Sequence, residues 1–208
     1  MTIVIKDKGK VNERRKEFDE NRLVSFINKG LDGLEVPSES KDFFLKKVIG
    51  KIDYKDEIEA KDINRILMQD SLSLVDDIKN DEGNITQESL NNINWNKFAR
   101  YVLLNELYKR ASKNRSFDAK DKYGDYLGFM LMMAEKGLYT KELFEKYSQD
   151  EIKKAGEYIK PERDLLFDYA GVNQLKDRYL VTDYDKSILE LPQERFMTMA
   201  LHISSVEE

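Results

Sequence analysis

The chain has 208 residues, 40% hydrophobic and 11% aromatic, enough for one medium domain or two small ones and too apolar for a disordered chain. Its net charge of -5 argues against a nucleic-acid partner, and the absence of cysteine excludes disulfides, zinc ribbons and thiol catalysis by this chain alone. No apolar run approaches the roughly 20 residues of a membrane helix and the start is too charged for a signal peptide, so a cytoplasmic placement with no membrane contact is expected.

Thr2 to Ile5, rich in β-branched residues, predicts a short strand. Residues 6–10 supply a turn, and Val11 to Phe18 is expected to return as a second strand. Asp19 is an N-cap candidate for a helix carrying Leu23, Phe26, Ile27 and Leu31 at helical spacing, with Gly30 and Gly33 where it should stop. Pro37 and Ser38 open the next helix, with Ser38 as its expected cap and Phe43, Phe44, Lys47 and Val48 along it. Asp56 to Ala60 reads as a brief third strand. It leads into a helix from Lys61 with Ile63, Ile66, Leu67, Leu74 and Val75 on one side. Residues 79–86 read as a polar loop, and a helix from Gln87 to Ser112 offers Trp95, Phe98, Ala99, Val102 and Leu107 to a core.

Lys113 to Asp118 reads as a linker, dividing the chain into domains at 1–112 and 118–208. Beyond it helices are expected over Tyr123–Lys136, Lys141–Tyr147, Gln149–Tyr158 and Leu165–Leu175. A small hairpin comes next over 179–191, and Pro192 suits the first turn of a closing helix, where its missing N–H costs nothing. The fold class is therefore mainly α with a small β-sheet.

Several residues invite a chemical reading, each against a plainer one. Lys6 with Gly9 three residues on is a hairpin that can wrap a phosphate with amides and an ammonium, but so short a motif is mostly just a turn. Residues 1–34 carry eight basic and six acidic side chains, a bias that suits a solvated face equally well. His202 is the only histidine, so no metal site is expected from it. Glu162, Asp164 and Asp168 cluster around Pro161; paired carboxylates can do acid–base work, but at a helix start they more often stabilise the dipole. Met130, Met132 and Met133 are most simply core filling. No nucleophile–base pair is legible, so no catalytic residue is named.

The order of these features carries a resemblance. Residues 3–9 (Ile-Val-Ile-Lys-Asp-Lys-Gly), then 18–23 (Phe-Asp-Glu-Asn-Arg-Leu) and 58–63 (Ile-Glu-Ala-Lys-Asp-Ile), are similar to the ATP-cone, with Trp95 to Ala111 as its last helix. Residues 132–139 (Met-Met-Ala-Glu-Lys-Gly-Leu-Tyr), 147–152, 159–164, 169–175, 178–181 and 190–197 (Glu-Leu-Pro-Gln-Glu-Arg-Phe-Met) resemble the region after the cone in class I ribonucleotide reductase large subunits. This second run is the more specific.

The resemblance implies a cone of short β-hairpin and helix bundle, followed by the helical N-terminal part of a ten-stranded α/β barrel domain. It implies deoxyribonucleotide synthesis, by a thiyl radical on a barrel cysteine, two further reducing cysteines and a smaller radical-generating subunit. The sequence ends at Glu208 before any such cysteine, so this stretch is not expected to be catalytic alone. Its implied partners are the cysteine-bearing remainder of the large subunit, the radical-generating subunit and other large subunits. Its implied ligand is ATP or dATP with Mg2+ as allosteric effector, ATP sustaining activity and dATP ending it through a changed assembly.

Carried over by position, the effector contacts are Lys6, Arg22 and Lys109 for phosphates, with Val4, Phe18 and Leu23 around the base. The family's Arg after the first Lys is Asp7 here, and two His positions of some members are Asn64 and Glu106. Arg14, Arg15 and Lys16 are the candidates to replace the lost charge. Alternatives to a working effector site are a degenerate cone serving as a subunit-contact surface, and a non-enzymatic nucleotide-sensing helical module.

Overall fold

The computed structural model describes residues 2–75 and 87–206, with side chains from residue 93 onward in the helix that begins at Gln87. The chain is mainly helical with one small sheet, as expected, and divides into two compact units, Met1–Leu103 and Leu104–Glu208. The break falls inside a helix rather than at a loop. The loop expected over 79–86 lies outside the described residues.

Unit 1 opens with β1 (Ile3–Lys6), which pairs antiparallel with β2 (Arg14–Glu17) and parallel with β3 (Glu57–Glu59), giving the strand order β2-β1-β3. The second strand is shorter than expected. Residues 7–13 are taken up by the connection, where Asp7 and Gly9 both have positive φ and Lys10 and Glu13 donate backbone hydrogen bonds to Asp7 and Lys10. Helix α1 (Glu20–Leu31) starts where predicted, with the Asp19 carboxylate accepting from the Arg22 N–H at 3.0 Å.

Gly30 does not end that helix. It lies inside α1, buried, where an added Cβ would stand 2.5 Å from the Tyr101 ring and 2.7 Å from that of Phe98. Gly33, at φ +71°, makes the turn after the helix. Helix α2 (Ser38–Asp53) begins with Ser38 inside its first turn, and Pro37 at the cap position supplies no side-chain bond, so the expected serine cap is not made. Phe44 and Val48 are buried but Phe43 faces solvent. Helix α3 (Ala60–Ser73) continues directly from β3.

Helix α4 (Gln87–Arg115) extends over the first three residues of the expected linker, and Trp95, Phe98, Ala99, Val102 and Leu107 are all fully buried, as their spacing predicts. In unit 1 the core joins Leu23, Ile27 and Leu31 of α1 to Phe44, Val48 and Ile52 of α2, Leu67 of α3 and Trp95, Phe98 and Val102 of α4. Ile58 comes in from the sheet, with Val4 and Phe18 packed against the set.

Unit 2 is built from short pieces. Helix α5 (Tyr126–Glu135) starts three residues later than expected because Gly124 takes φ +71° and Asp125 caps it, accepting from the N–H groups of Leu127 and Gly128. Helices α6 (Glu142–Lys146) and α7 (Gln149–Gly156) come next, the latter held by a capping box between Ser148 and Glu151. The helix expected over 165–175 is broken. A 3-10 turn spans Pro161–Leu166, and α8 (Tyr169–Gln174) restarts on the Asp168 cap before opening into one wide π turn to Tyr179. The expected hairpin reduces to a single bridge, Thr182 with Ile188. Helix α9 (Pro192–Ser204) has Pro192 in its first turn. Tyr126, Phe129, Met130, Met133, Leu143, Ile152 and Leu189 form the core of this unit, so the methionines fill space as predicted.

Candidate functional site: a charged sheet and a buried carboxylate network

The pairing register of the unit 1 sheet sorts its side chains onto two faces. Directly opposed residues share a face and alternate residues along a strand share a face. Val4 pairs with Lys16 and Ile58, and Lys6 with Arg14, so Val4, Lys6, Arg14, Lys16 and Ile58 lie on one side. Ile3, Ile5, Arg15, Glu17, Glu57 and Glu59 lie on the other. Val4 and Ile58 pack against the helical core, so the first face meets the helices, while on the second face Ile5 is buried as well. Its polar members Lys6, Arg14 and Lys16 are all cationic and exposed.

On the opposite face the single cation is spoken for. Arg15 donates to Glu13 at 2.9 Å and to Glu57 at 2.7 Å, and these carboxylates hold its guanidinium above its ordinary pKa. Glu59 pairs with Lys61 at 2.8 Å, a contact that lowers the Glu59 pKa. Glu13 has a second role: its other oxygen accepts the Gly9 N–H at 2.8 Å, and that bond, followed by the Arg15 contact, lowers its pKa. The amide at the hairpin tip, a candidate for phosphate, is thus taken by a carboxylate of the same chain.

Of the residues named from sequence, six belong to unit 1. Lys6 is exposed at the end of β1 and Arg22 is exposed in the first turn of α1. Val4 and Phe18 are half-buried against the core, and the Phe18 N–H bonds to the Thr2 carbonyl at 2.9 Å, fastening the β2 exit beside β1. Asn64 is half-buried on α3. Leu23 is buried in the core. Glu106 and Lys109 belong to the stretch of α4 in unit 2, where Glu106 accepts from Arg110 at 3.2 Å.

Unit 2 holds a constellation that sequence reading misses. Asp164 is fully buried and accepts hydrogen bonds from Tyr108, from Tyr123 (2.7 and 2.8 Å to its two oxygens) and from Gln193 at 2.9 Å. Glu190 accepts from Tyr139 and from the Val181 N–H at 2.7 Å. Glu194 receives two bonds from Arg115 Nη1, at 2.7 and 2.9 Å, and the Leu191 N–H at 2.9 Å. Arg115 lies over the Phe117 and Phe129 rings, with its guanidinium carbon 4.8 and 4.4 Å from their centroids.

Burial raises the pKa of each of these carboxylates, that of Glu194 to about 8 against the pull of Arg115; burial also raises Tyr123, Tyr126 and Tyr139. The expected trio of Glu162, Asp164 and Asp168 does not form an acid–base pair. Asp164 is interior, Asp168 caps α8 and Glu162 is exposed, so each carboxylate serves a different part of the structure. The available signal is Glu190 and Glu194 standing within an apolar stretch, where a solvated carboxylate would be out of place. His202 is exposed on α9. Among the described residues no cluster of three or more His, Asp or Glu could hold a metal, and no helix is long and apolar enough to cross a membrane.

Residues 165–208 match the family described as "Ribonucleotide reductase, all-alpha domain". Over all 208 residues the chain is 26% identical to a ribonucleoside-diphosphate reductase subunit alpha of Helicobacter pylori, spanning 23% of that protein's length. It is 33% identical over 119 residues to the Synechocystis subunit alpha, covering 57% of this chain and 14% of that protein. The subunit alpha of Enterobacteria phage T4 is 51% identical over 69 residues, which is 32% of this chain and 9% of that one. The chain is thus similar over its whole length to a ribonucleoside-diphosphate reductase alpha subunit, spans about a quarter of that protein's length, and over residues 165–208 matches the all-alpha domain of ribonucleotide reductases.

Proposed function

We propose that the chain acts in ribonucleoside-diphosphate reduction as a regulatory and supporting region. Unit 1 takes ATP or dATP with Mg2+ as effector. Unit 2 supports a cysteine-bearing barrel, and the assembly includes a radical-generating subunit and further large subunits. The observation that carries the effector reading is the helix-facing side of the sheet, where Lys6, Arg14 and Lys16 stand beside the half-buried Val4 and Phe18. A cationic rim around an apolar floor suits a nucleotide, with phosphates on the ammonium and guanidinium groups and the base against carbon. With no cysteine in the chain, reduction itself falls to other parts of the enzyme.

A second reading, a cone retained only as a contact surface, is favoured by one feature: Glu13 already occupies the Gly9 amide, and Asp7 stands next to Lys6. Calorimetric titration of the chain with ATP and dATP in magnesium, with molecular size followed in parallel, separates the two. Binding at roughly micromolar affinity, weakened by Lys6→Ala, supports the effector site. No binding up to millimolar nucleotide by a folded chain leaves the contact-surface reading.

A further inference from the structure

Asp7 takes from this hairpin a positive charge that the effector reading would use, and the register shows where a replacement lies. Resting on that reading, we infer that Arg14 and Lys16 of β2, and not the intervening Arg15, bind the phosphate chain of the nucleotide together with Lys6. Three observations carry the assignment.

The first is placement. Arg14 lies opposite Lys6 and Lys16 opposite Val4, so all three cations share the helix-facing side with the apolar residues that would meet a base. Arg15 lies opposite Ile5 on the other face, in the company of Glu17, Glu57 and Glu59, a surface that repels an anion.

The second is commitment. Arg15 is bound by Glu13 and Glu57, whereas Arg14 and Lys16 have no ion pair among the described residues. Recruiting Arg15 would break two charge-assisted contacts; recruiting its neighbours breaks none.

The third is the geometry of Asp7. Strand alternation would give Asp7 to the Ile3 and Ile5 row rather than to that of Val4 and Lys6, and its φ of +55° ends the strand there and starts the turn. β2 is also the outer strand on its side of the sheet, and all four of its side chains are exposed, so a ligand can reach Arg14 and Lys16 without displacing a packed group.

The test compares ATP binding by the full 208-residue chain with that of Arg14→Ala/Lys16→Ala, Arg15→Ala and the conservative pair Arg14→Lys/Lys16→Arg. Circular dichroism first establishes that each variant is folded. ATP affinity is expected to fall by about tenfold for each cation removed in the double alanine variant. Arg15→Ala should stay within about twofold, and the conservative pair should recover most of the loss. Adenosine, which has no phosphates, should bind all four proteins alike. If the parent chain binds ATP and the double alanine variant binds it equally well, or if Arg15→Ala is the damaging change, the assignment is overturned while the effector reading stands. If the folded parent chain binds no ATP at all, both are overturned.

Discussion

The two units bury different things. Unit 1 closes on an aromatic cluster in which Phe44 stands 4.6 Å from Trp95 and 5.5 Å from Phe98, all three without solvent exposure. Unit 2 closes on carboxylates: Asp164, Glu190 and Glu194 are as inaccessible as those rings, and each is satisfied by two or more donors. The difference arises from element length. Helices of 12 to 16 residues in unit 1 present long apolar stripes, and burying them suffices. Helices of five to eight residues, such as α6, α7 and α8, are too short to persist by themselves, so directional bonds between distant positions, such as Arg115 to Glu194 or Tyr108 to Asp164, hold the pieces in register.

The largest loss of stability is expected at Arg115. Above about pH 8, where Glu194 is ionised, Arg115→Met leaves its charge buried without a cation and should cost about 3–5 kcal/mol, read by denaturant unfolding. Arg115→Met with Glu194→Leu should recover most of that loss, and failure to recover would mean that Arg115 matters chiefly through its rings and carbonyl partners. In unit 1 the corresponding lesion is steric. Gly30→Ala would drive a methyl into Tyr101 and Phe98, at an expected cost of about 1–3 kcal/mol, with faster hydrogen exchange in α1 and α4.

The two units should also differ in their response to pH. The buried carboxylates of unit 2 have pKa values raised above their unfolded values, so the folded state holds more protons than the unfolded one. Their contribution is therefore complete below the normal carboxylate range and is lost as pH rises toward about 8, the Glu194 value. Unit 2 should melt several degrees lower at pH 8 than at pH 5, and Glu194→Gln should flatten that slope. A unit 2 stability that rises over the same interval would contradict it. The smallest expected effect is at the start of α1: Asp19→Ala removes the cap bond to Arg22 and should cost about 1 kcal/mol without touching unit 2.

Much of unit 1 can be read from the residues alone. The β-branched Ile3-Val4-Ile5 run, the Asp19 cap and the helical spacing of Trp95, Phe98 and Val102 are local signals, and local physics decides them. Gly30 misleads because a glycine near a helix end usually stops it, and only the packing of α4 on α1 gives the residue its reason. The faces of Arg14, Arg15 and Lys16 depend on register, and a shift of one residue would exchange them; the seven-residue connection that sets it has no sequence signature. Val4, Lys6 and Phe18 of the candidate site are legible, whereas its β2 cations are visible only as alternatives. Of the Asp164, Glu190 and Glu194 network only the apolar setting of Glu190 and Glu194 shows in the sequence, and the donors, which lie up to 79 residues away, do not.

Trp95 is the chain's only tryptophan, and it sits in unit 1 with no solvent exposure, its indole N–H donating to Ser40 Oγ at 3.1 Å. Its fluorescence therefore belongs to one half of the molecule, emitting at short wavelength while the Phe44 and Phe98 rings enclose it and shifting to the red when they part. The eleven tyrosines include Tyr108, Tyr123, Tyr126 and Tyr139 in unit 2, whose hydroxyls are hydrogen-bonded to Asp164, Thr198 and Glu190. Trp95 thus follows unit 1 alone, while nine of the eleven tyrosines lie in unit 2 and Tyr54 and Tyr101 in unit 1, so on the unlabelled chain the tryptophan signal is the one that isolates a single half.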